Sequence, residues 1–279
     1  MAKDIEEHSD DGWTKISRGK GKEQPPLYIH GLDPPAKHLT LQHVHADLDA
    51  KTKIWQCSTC RKATLAILDK QEPDQGWQLT KAVCLGSNSF SRDNWQARQR
   101  SVTQFAAFLD IIRHLQAKQR SPIALYAQEP QYTPLDSELL ESLDVHVLDA
   151  IPEGSTDQSL GEAAHHISGS TFVFEAFMDL NTQALEILLN GDPPLYIGSS
   201  MEKWTKHESR MVARRGAHLR SVVGKPDHSL RKSGPAEIAA QFVRSRRSYR
   251  LPRFEEDPNI LEGLSIYWKE PVDDDGDGT

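Results

Sequence analysis

The chain has 279 residues and a formal net charge of −7, and no stretch of it approaches the roughly 18 apolar residues that a membrane-spanning helix needs. Its acidic N-terminus, MAKDIEEHSDDG, lacks the apolar segment of a secretory signal and is not typical of a mitochondrial presequence. Three cysteines do not make a disulfide framework, so the sequence predicts a protein of the cytosol or the nucleus, with no membrane partner.

The predicted elements alternate between strands and helices. The two ends, residues 1–26 and 271–279, contain few apolar residues and predict disordered tails. Residues 38–70 predict one or two helices within an N-terminal extension, 27–78. Strands are predicted at 79–85, 123–127, 145–148, 170–177, 195–198, 219–223 and 264–268. Helices are predicted at 93–117, 134–143, 157–166, 181–189, 202–215 and 235–248.

This alternation indicates βαβ units and therefore a mainly parallel sheet. The predicted fold class is α/β, a Rossmann-like three-layer sandwich over residues 79–270. In such open sheets, ligands lie beyond the carboxyl ends of the strands, close to the N-termini of helices. Candidate site residues are therefore expected where the predicted strands end.

The first predicted strand runs into a turn of small polar residues. They are Gly86, Ser87, Asn88 and Ser89. A glycine followed by such residues can direct N–H and hydroxyl groups at an anion, although neither the dinucleotide-binding fingerprint nor a Walker motif is present. The alternative is a tight turn in which Ser91 or Asp93 caps the next helix.

Acidic residues follow two further predicted strands. Glu129 comes after the strand at 123–127, and Glu153, with Gly154 beside it, comes after the strand at 145–148. A carboxylate at a strand end can bind ribose hydroxyls or act as a base. Both are equally well explained as solvated loop residues, and the sequence identifies no ligand or cofactor.

The pair Cys57 and Cys60, with His43 and His45 upstream, matches the residue types of a zinc site. The cysteines lead directly into a predicted helix and no second pair follows, which argues against structural zinc. A thioredoxin-like redox pair would need a βαβ context that is missing here. The sequence therefore favours two incidental thiols and no metal site.

Positive charge is concentrated in residues 203–253, which hold 14 basic and three acidic side chains. This local net charge of +11 leaves −18 for the remainder of the chain. Basic clusters with aromatic residues nearby, here Tyr249 and Phe254, can bind nucleic acid or another polyanion. We favour the alternative, in which these residues form a solvated face that pairs with the acidic remainder.

The order of several short motifs resembles the Sensitivity-to-Red-light-Reduced-like domain family, in its divergent fungal form. The motifs are DGWTKISRGKG at 11–21, VCLGSNSF at 83–90, QFAAFL at 104–109, YAQEPQYTPLD at 126–136, IPEG at 151–154 and LEGLSIYW at 261–268. Glu129 stands where this family usually has Asp. Residues 177–180, FMDL, stand where the family typically has Met-Pro-His-Cys, so chemistry that needs that His and Cys does not transfer.

The resemblance implies a Rossmann-like domain in a regulatory protein, in a family linked to light signalling, circadian timing and growth. It implies no reaction, and the sequence contains neither H-E-x-x-H nor G-x-S-x-G. Our first hypothesis is a non-catalytic regulator that acts through a small molecule or a protein partner. The rival is an enzyme whose nucleotide-type cofactor binds at residues 86–89. Polyanion binding through residues 203–253 is the weaker alternative.

Overall fold

The computed structural model describes residues 33–151, 159–176, 178, 180–202 and 234–269. Within these ranges the helices are α1 Leu41–Cys57, α2 Thr59–Lys70, α3 Trp95–Gln116, α4 Pro134–Ser142, α5 Thr182–Gly191 and α6 Pro235–Arg244, with a 3₁₀ helix at Gly161–His165. The strands are β1 Lys81–Leu85, β2 Ala124–Gln128, β3 Val145–Val147, β4 Thr171–Glu175, β5 Leu195–Ser199, β6 Arg247–Arg250 and β7 Leu264–Trp268.

The strands form one sheet in the order β3-β2-β1-β4-β5-β7-β6. The first five are parallel, and β7 runs antiparallel to both of its neighbours. From β1 the chain adds β2 and β3 on one side, and it later adds β4 and β5 on the other side. Because crossovers between parallel strands are right-handed, helices that connect strands in these two opposite directions lie on opposite faces of the sheet. The α/β, Rossmann-like prediction is confirmed.

Helices cover the sheet on both faces. On one face, α1 to α4 pack over a core that includes the mutually contacting rings of Phe105, Phe108, Phe172 and Phe174. On the other, the 3₁₀ helix, α5 and α6 pack against residues such as Val173 and Tyr267. Because β4 is covered on both sides, all five of its residues are buried, as expected for a central parallel strand.

The two N-terminal helices are fixed to α3 by the buried Asp110. Its carboxylate accepts hydrogen bonds from the Trp55 indole N–H at 3.0 Å and from Arg61 Nε at 2.6 Å. Side chains of α1 and α2 belong to the same apolar cluster as the sheet. The predicted helical extension therefore shares its core with the α/β domain.

Two predicted helices differ from the structure. In place of the helix at 157–166, the described residues form a 3₁₀ helix that begins at Gly161, whose φ of 56° is left-handed. The helix predicted at 235–248 ends at Arg244, because residues 247–250 pair with β7 as an edge strand. The helix predicted at 202–215 lies almost entirely outside the described residues, and the strand predicted at 219–223 lies wholly outside them.

None of the helices among the described residues is long and apolar enough to cross a membrane.

Candidate functional site

The strand order reverses between β1 and β4, which are neighbours in the sheet. The chain adds β2 and β3 on one side of β1, and it adds β4 and β5 on the other side. Leu85 is level with Gln128 of β2 and Glu175 of β4, so the three strands end together. Ligands of open α/β sheets bind at such a switch point, and residues 86–89 leave β1 there.

The turn after β1 requires a glycine at its first position. Gly86 has a φ of 65°, in the left-handed region, and Asn88 follows with 62°. A Cβ on Gly86 would lie 3.1 Å from Met178 Cβ and 3.3 Å from Met178 N. The loop after β4 thus closes directly over the end of β1, and a side chain at position 86 would separate them.

The turn is not the start of a helix. Helix α3 begins at Trp95 and is capped by Asn94, whose side chain accepts the Ala97 N–H. The predicted caps, Ser91 and Asp93, are wrong, because the chain first buries Phe90 and then forms a β-bridge between Arg92 and Pro35. The N-terminus of α3 therefore does not directly follow residues 86–89 in the chain.

Glu129 lies against the turn. Its Oε2 accepts the Asn88 N–H at 3.0 Å, and its Oε1 accepts the Gln131 N–H at 3.0 Å. Burial is the largest cause of a raised pKa for this carboxyl, and the two hydrogen bonds oppose it. The structure thus brings together two of the three strand ends that the sequence singled out.

A second carboxylate, Asp136 of α4, occupies the far side of the same turn. It accepts Ser89 Oγ–H at 2.6 Å, the Phe90 N–H at 3.1 Å and the Thr133 N–H at 2.8 Å. Together with Glu129, it engages donors that the sequence assigned to a bound anion. Within the described residues, the protein's own carboxylates fill that role.

The remaining hydroxyl groups of the turn are bonded in pairs. Ser87 Oγ and the Tyr132 hydroxyl are 2.6 Å apart, and Ser91 Oγ and Thr133 Oγ1 are also 2.6 Å apart. Burial raises the pKa of the Tyr132 phenol well above its ordinary value. Tyr132 is therefore neutral at physiological pH and acts as a hydrogen-bonding group.

The sequence analysis missed Glu175, the last residue of β4. This fully buried carboxylate accepts the Tyr196 O–H at 2.9 Å, the Ser199 N–H at 2.7 Å and the Met178 N–H. Gly198 leaves room for the pair, since a Cβ there would lie 2.4 Å from the Tyr196 oxygen. A single acidic residue at the end of the apolar run TFVFE was the available signal.

The other sequence candidates are placed elsewhere or not described. Glu153 and Gly154 lie outside the described residues, as do Phe177 and Asp179. His43 caps α1 together with Thr40, and His45 bonds to Ser142 Oγ at 2.9 Å.

The four candidate zinc ligands do not gather in one place. His45 and Cys57 are twelve residues apart on α1, or about 18 Å along the helix. Cys57 is exposed, whereas Cys60 is buried and donates its S–H to the Pro252 carbonyl at 3.0 Å. Among the residues that the structure describes, no group of three or more His, Cys, Asp or Glu side chains could hold a metal ion.

The described part of the basic region has mixed roles. Arg246 has a fully buried side chain, donates to Asp192 Oδ1 at 2.8 Å and lies 3.9 Å from the centroid of the Phe242 ring. This arginine pairs with an acidic residue outside the basic region, but it is buried and therefore does not belong to the solvated face that the sequence analysis favoured. Residues 203–233 lie outside the described ranges.

Residues 55–268 match the family model of the SRR1 domain. No curated protein matches the sequence. A solved structure described as a "putative O-methyltransferase from Klebsiella pneumoniae" aligns at 12% identity over 81% of this chain and 90% of its own, with a TM-score of 0.35. A likeness this weak supports no conclusion about function.

Proposed function

The chain belongs to the SRR1 domain family, and from this premise we propose that it is a non-catalytic regulatory protein of the cytosol or nucleus that responds to a small molecule. The ligand binds at the carboxyl edge of the sheet, between the turn at residues 86–89 and Glu129. A protein partner is the alternative means of action for the same regulatory role.

The observation that carries this proposal is the position of Glu129 against the turn after β1. A carboxylate at the end of the neighbouring strand is suited to accept hydrogen bonds from ribose hydroxyls. An ionised carboxylate has about four acceptor positions, and only two bonds to Glu129 come from the protein among the described residues. We therefore infer a ligand that contains a ribose or a similar diol.

The proposed lack of catalysis is supported by how the other carboxylates are used. Asp136 and Glu175 are both fully buried, and each accepts three hydrogen bonds from the protein. A general base must reach a substrate proton directly or through one water molecule. Asp136 instead joins the turn after β1 to the start of α4, and Glu175 joins the end of β4 to β5.

Thermal unfolding in the presence of adenosine, ATP, NAD, S-adenosylmethionine and haem tests the proposal. A ribose-containing ligand at 100 times its Kd adds about 2.7 kcal/mol to the free energy of unfolding, which raises the Tm by about 5 °C or more for a chain of this size. Glu129→Gln should abolish the increase. The matched control is Glu141→Gln, at an exposed position, which should retain it.

Failure of every ribose-containing compound to raise the Tm would contradict the proposal. A shift that persists in Glu129→Gln would place the ligand elsewhere. A shift that appears only with haem would also contradict it, because haem contains no ribose.

The second candidate is an enzyme that binds a nucleotide-type cofactor at Gly86, Ser87, Asn88 and Ser89. The strand order β3-β2-β1-β4-β5 and the left-handed conformation of Gly86 favour it. The engaged N–H groups of Asn88 and Phe90 argue against a phosphate at the turn itself. Ser87→Ala and Asn88→Ala should abolish a shift by such a cofactor, and its consumption in a turnover assay would separate enzyme from regulator.

A third, weaker proposal is nucleic-acid or polyanion binding through residues 203–253. Its described portion includes four arginines with exposed side chains: Arg244, Arg247, Arg250 and Arg253. Fluorescence anisotropy with RNA tests it, and the affinity should fall steeply as salt is raised. Binding that is independent of salt would exclude the electrostatic mechanism.

A further inference from the structure

A cavity of about 650 Å³ lies beside the connection from β6 to β7. Arg250 pairs with Ser265, and Ser199 pairs with Leu264. The cavity is therefore at the carboxyl edge of the sheet, like the turn after β1. Four strand spacings separate β6 from β1 in the sheet, which is about 19 Å. This cavity is distinct from the site at Glu129.

Polar and apolar residues share the lining. The polar members include Arg250, Arg253, Asn259 and Glu262, and the apolar members are Leu251, Pro252, Pro258 and Leu261. A volume of this size is typical of small-molecule sites, which combine apolar walls with a few polar groups.

The two arginines of the cavity have exposed side chains without an ion-pair partner. Among the described residues, no acidic side chain lies within salt-bridge distance of Arg250 or Arg253. Arg246, only a few residues away, contrasts with them because it is buried, paired with Asp192 and packed on Phe242. Arg246 therefore has a structural role, whereas the charged groups of Arg250 and Arg253 line the cavity and are exposed to a ligand.

The backbone that carries these arginines is held at several points. Leu251 and Phe254 are buried, and the Leu251 N–H donates to the Leu264 carbonyl at 3.0 Å. Glu255 accepts the N–H of Thr59 at the start of α2, at 2.8 Å. Because the flanking residues are anchored, the two guanidinium groups extend from a fixed segment, which lowers the cost of ordering them around a ligand.

We propose that this cavity binds a small phosphate ester. The planar guanidinium groups of Arg250 and Arg253 match the geometry of phosphate oxygens and form charge-assisted hydrogen bonds with them. Glu262, on the same lining, accepts a hydrogen bond from a hydroxyl group of the ligand. Its negative charge disfavours a polyanion whose phosphates would extend along the whole cavity, so we infer a ligand with a single phosphate and neighbouring hydroxyls.

Isothermal titration calorimetry with glycerol 3-phosphate tests this proposal on the full chain. This probe carries the phosphate and the hydroxyls, and because it is itself a diol, the variant Glu129→Gln is needed to separate binding in this cavity from binding at the turn. Arg250→Gln and Arg253→Gln should each weaken binding at least ten-fold, the order expected for loss of a charge-assisted hydrogen bond. Arg244→Gln is the matched control, because it removes the same charge from an exposed position outside the lining.

Glu129→Gln should leave the affinity for glycerol 3-phosphate unchanged, which separates this site from the one at the turn. The three arginine variants should unfold at a Tm close to that of the wild type, since their side chains are exposed. The proposal is overturned if glycerol 3-phosphate fails to bind at millimolar concentration or if both arginine variants bind it as the wild type does.

Discussion

The backbone N–H of Asn88 donates to the carboxylate of Glu129 across 3.0 Å. This bond joins the turn after β1 to the end of β2. It places an acidic group where an open α/β sheet binds its ligands, and it occupies one of the donors that a bound anion would otherwise use. The polar groups of this edge are therefore organised around the protein's own carboxylates.

We predict that the stability difference between the wild type and Glu129→Gln depends on pH. Burial raises the pKa of Glu129 above its ordinary value of 4.5, so the folded state binds this proton more tightly than the unfolded state. Ionisation therefore lowers the free energy of unfolding as the pH rises above 4.5, until the carboxyl is ionised in the folded state as well. Glutamine does not titrate and lacks this loss.

Urea unfolding between pH 4.5 and neutrality, on both proteins, measures the effect. The wild type should lose stability relative to Glu129→Gln across this range, and the exposed control Glu141→Gln should run parallel to the wild type. A wild type that gains stability relative to the variant as the pH rises would show that the hydrogen bonds to Glu129 outweigh its burial.

We predict that Gly198→Ala destabilises the fold by about 1–3 kcal/mol, the usual cost of forcing extra atoms into a packed core. A Cβ there would lie 2.4 Å from the Tyr196 oxygen and 2.8 Å from Glu175 Oε2, so the buried hydrogen bond between these side chains must move. Chemical denaturation measures the loss. Gly169→Ala is the control, because a Cβ at that position has no neighbour within 4 Å, and equal losses in the two variants would refute the steric explanation.

We predict that Asp110→Ala costs about 1–3 kcal/mol, because it leaves Trp55 Nε1 and the guanidinium of Arg61 without their acceptor. The free energy of unfolding measures this cost. Asp49→Ala, at an exposed position of α1, should change stability by no more than about 0.5 kcal/mol. If Asp110→Ala lowers the free energy of unfolding by as little as Asp49→Ala does, apolar packing alone fixes α1 and α2 on α3.

We predict that one of the three thiols reacts rapidly in the native protein. Cys57 is exposed, whereas Cys60 and Cys84 are buried. Burial raises the pKa of Cys60 to about 12 and raises that of Cys84 further, so neither forms the reactive thiolate near neutral pH. Titration with Ellman's reagent should detect a single fast equivalent, and Cys57→Ser should remove it.

Three fast equivalents without denaturant would contradict the buried positions of Cys60 and Cys84. In guanidinium chloride all three thiols should react, which provides the internal standard.

Part of the candidate site was predictable from local sequence. A glycine at the end of an apolar strand and an acidic residue after the next strand are both readable signals, and they identified Gly86 and Glu129. Asp136 was not identified, because an acidic residue in the first turn of a predicted helix carries no local signal of contact with a distant turn. Its carboxylate instead reaches back to Ser89 and Phe90, a contact between residues more than forty positions apart.

The sequence by itself determined the alternation of strands and helices, and with it the parallel Rossmann-like sheet, because each element has its own hydrophobic period. It also carried the family resemblance, which the match over residues 55–268 confirms. Tertiary structure alone decided that residues 247–250 are an edge strand, that Arg246 is buried against Asp192, and that Glu175 bonds to Tyr196. These outcomes depend on which strands become neighbours, and pairing between distant segments leaves no periodic signal in either segment.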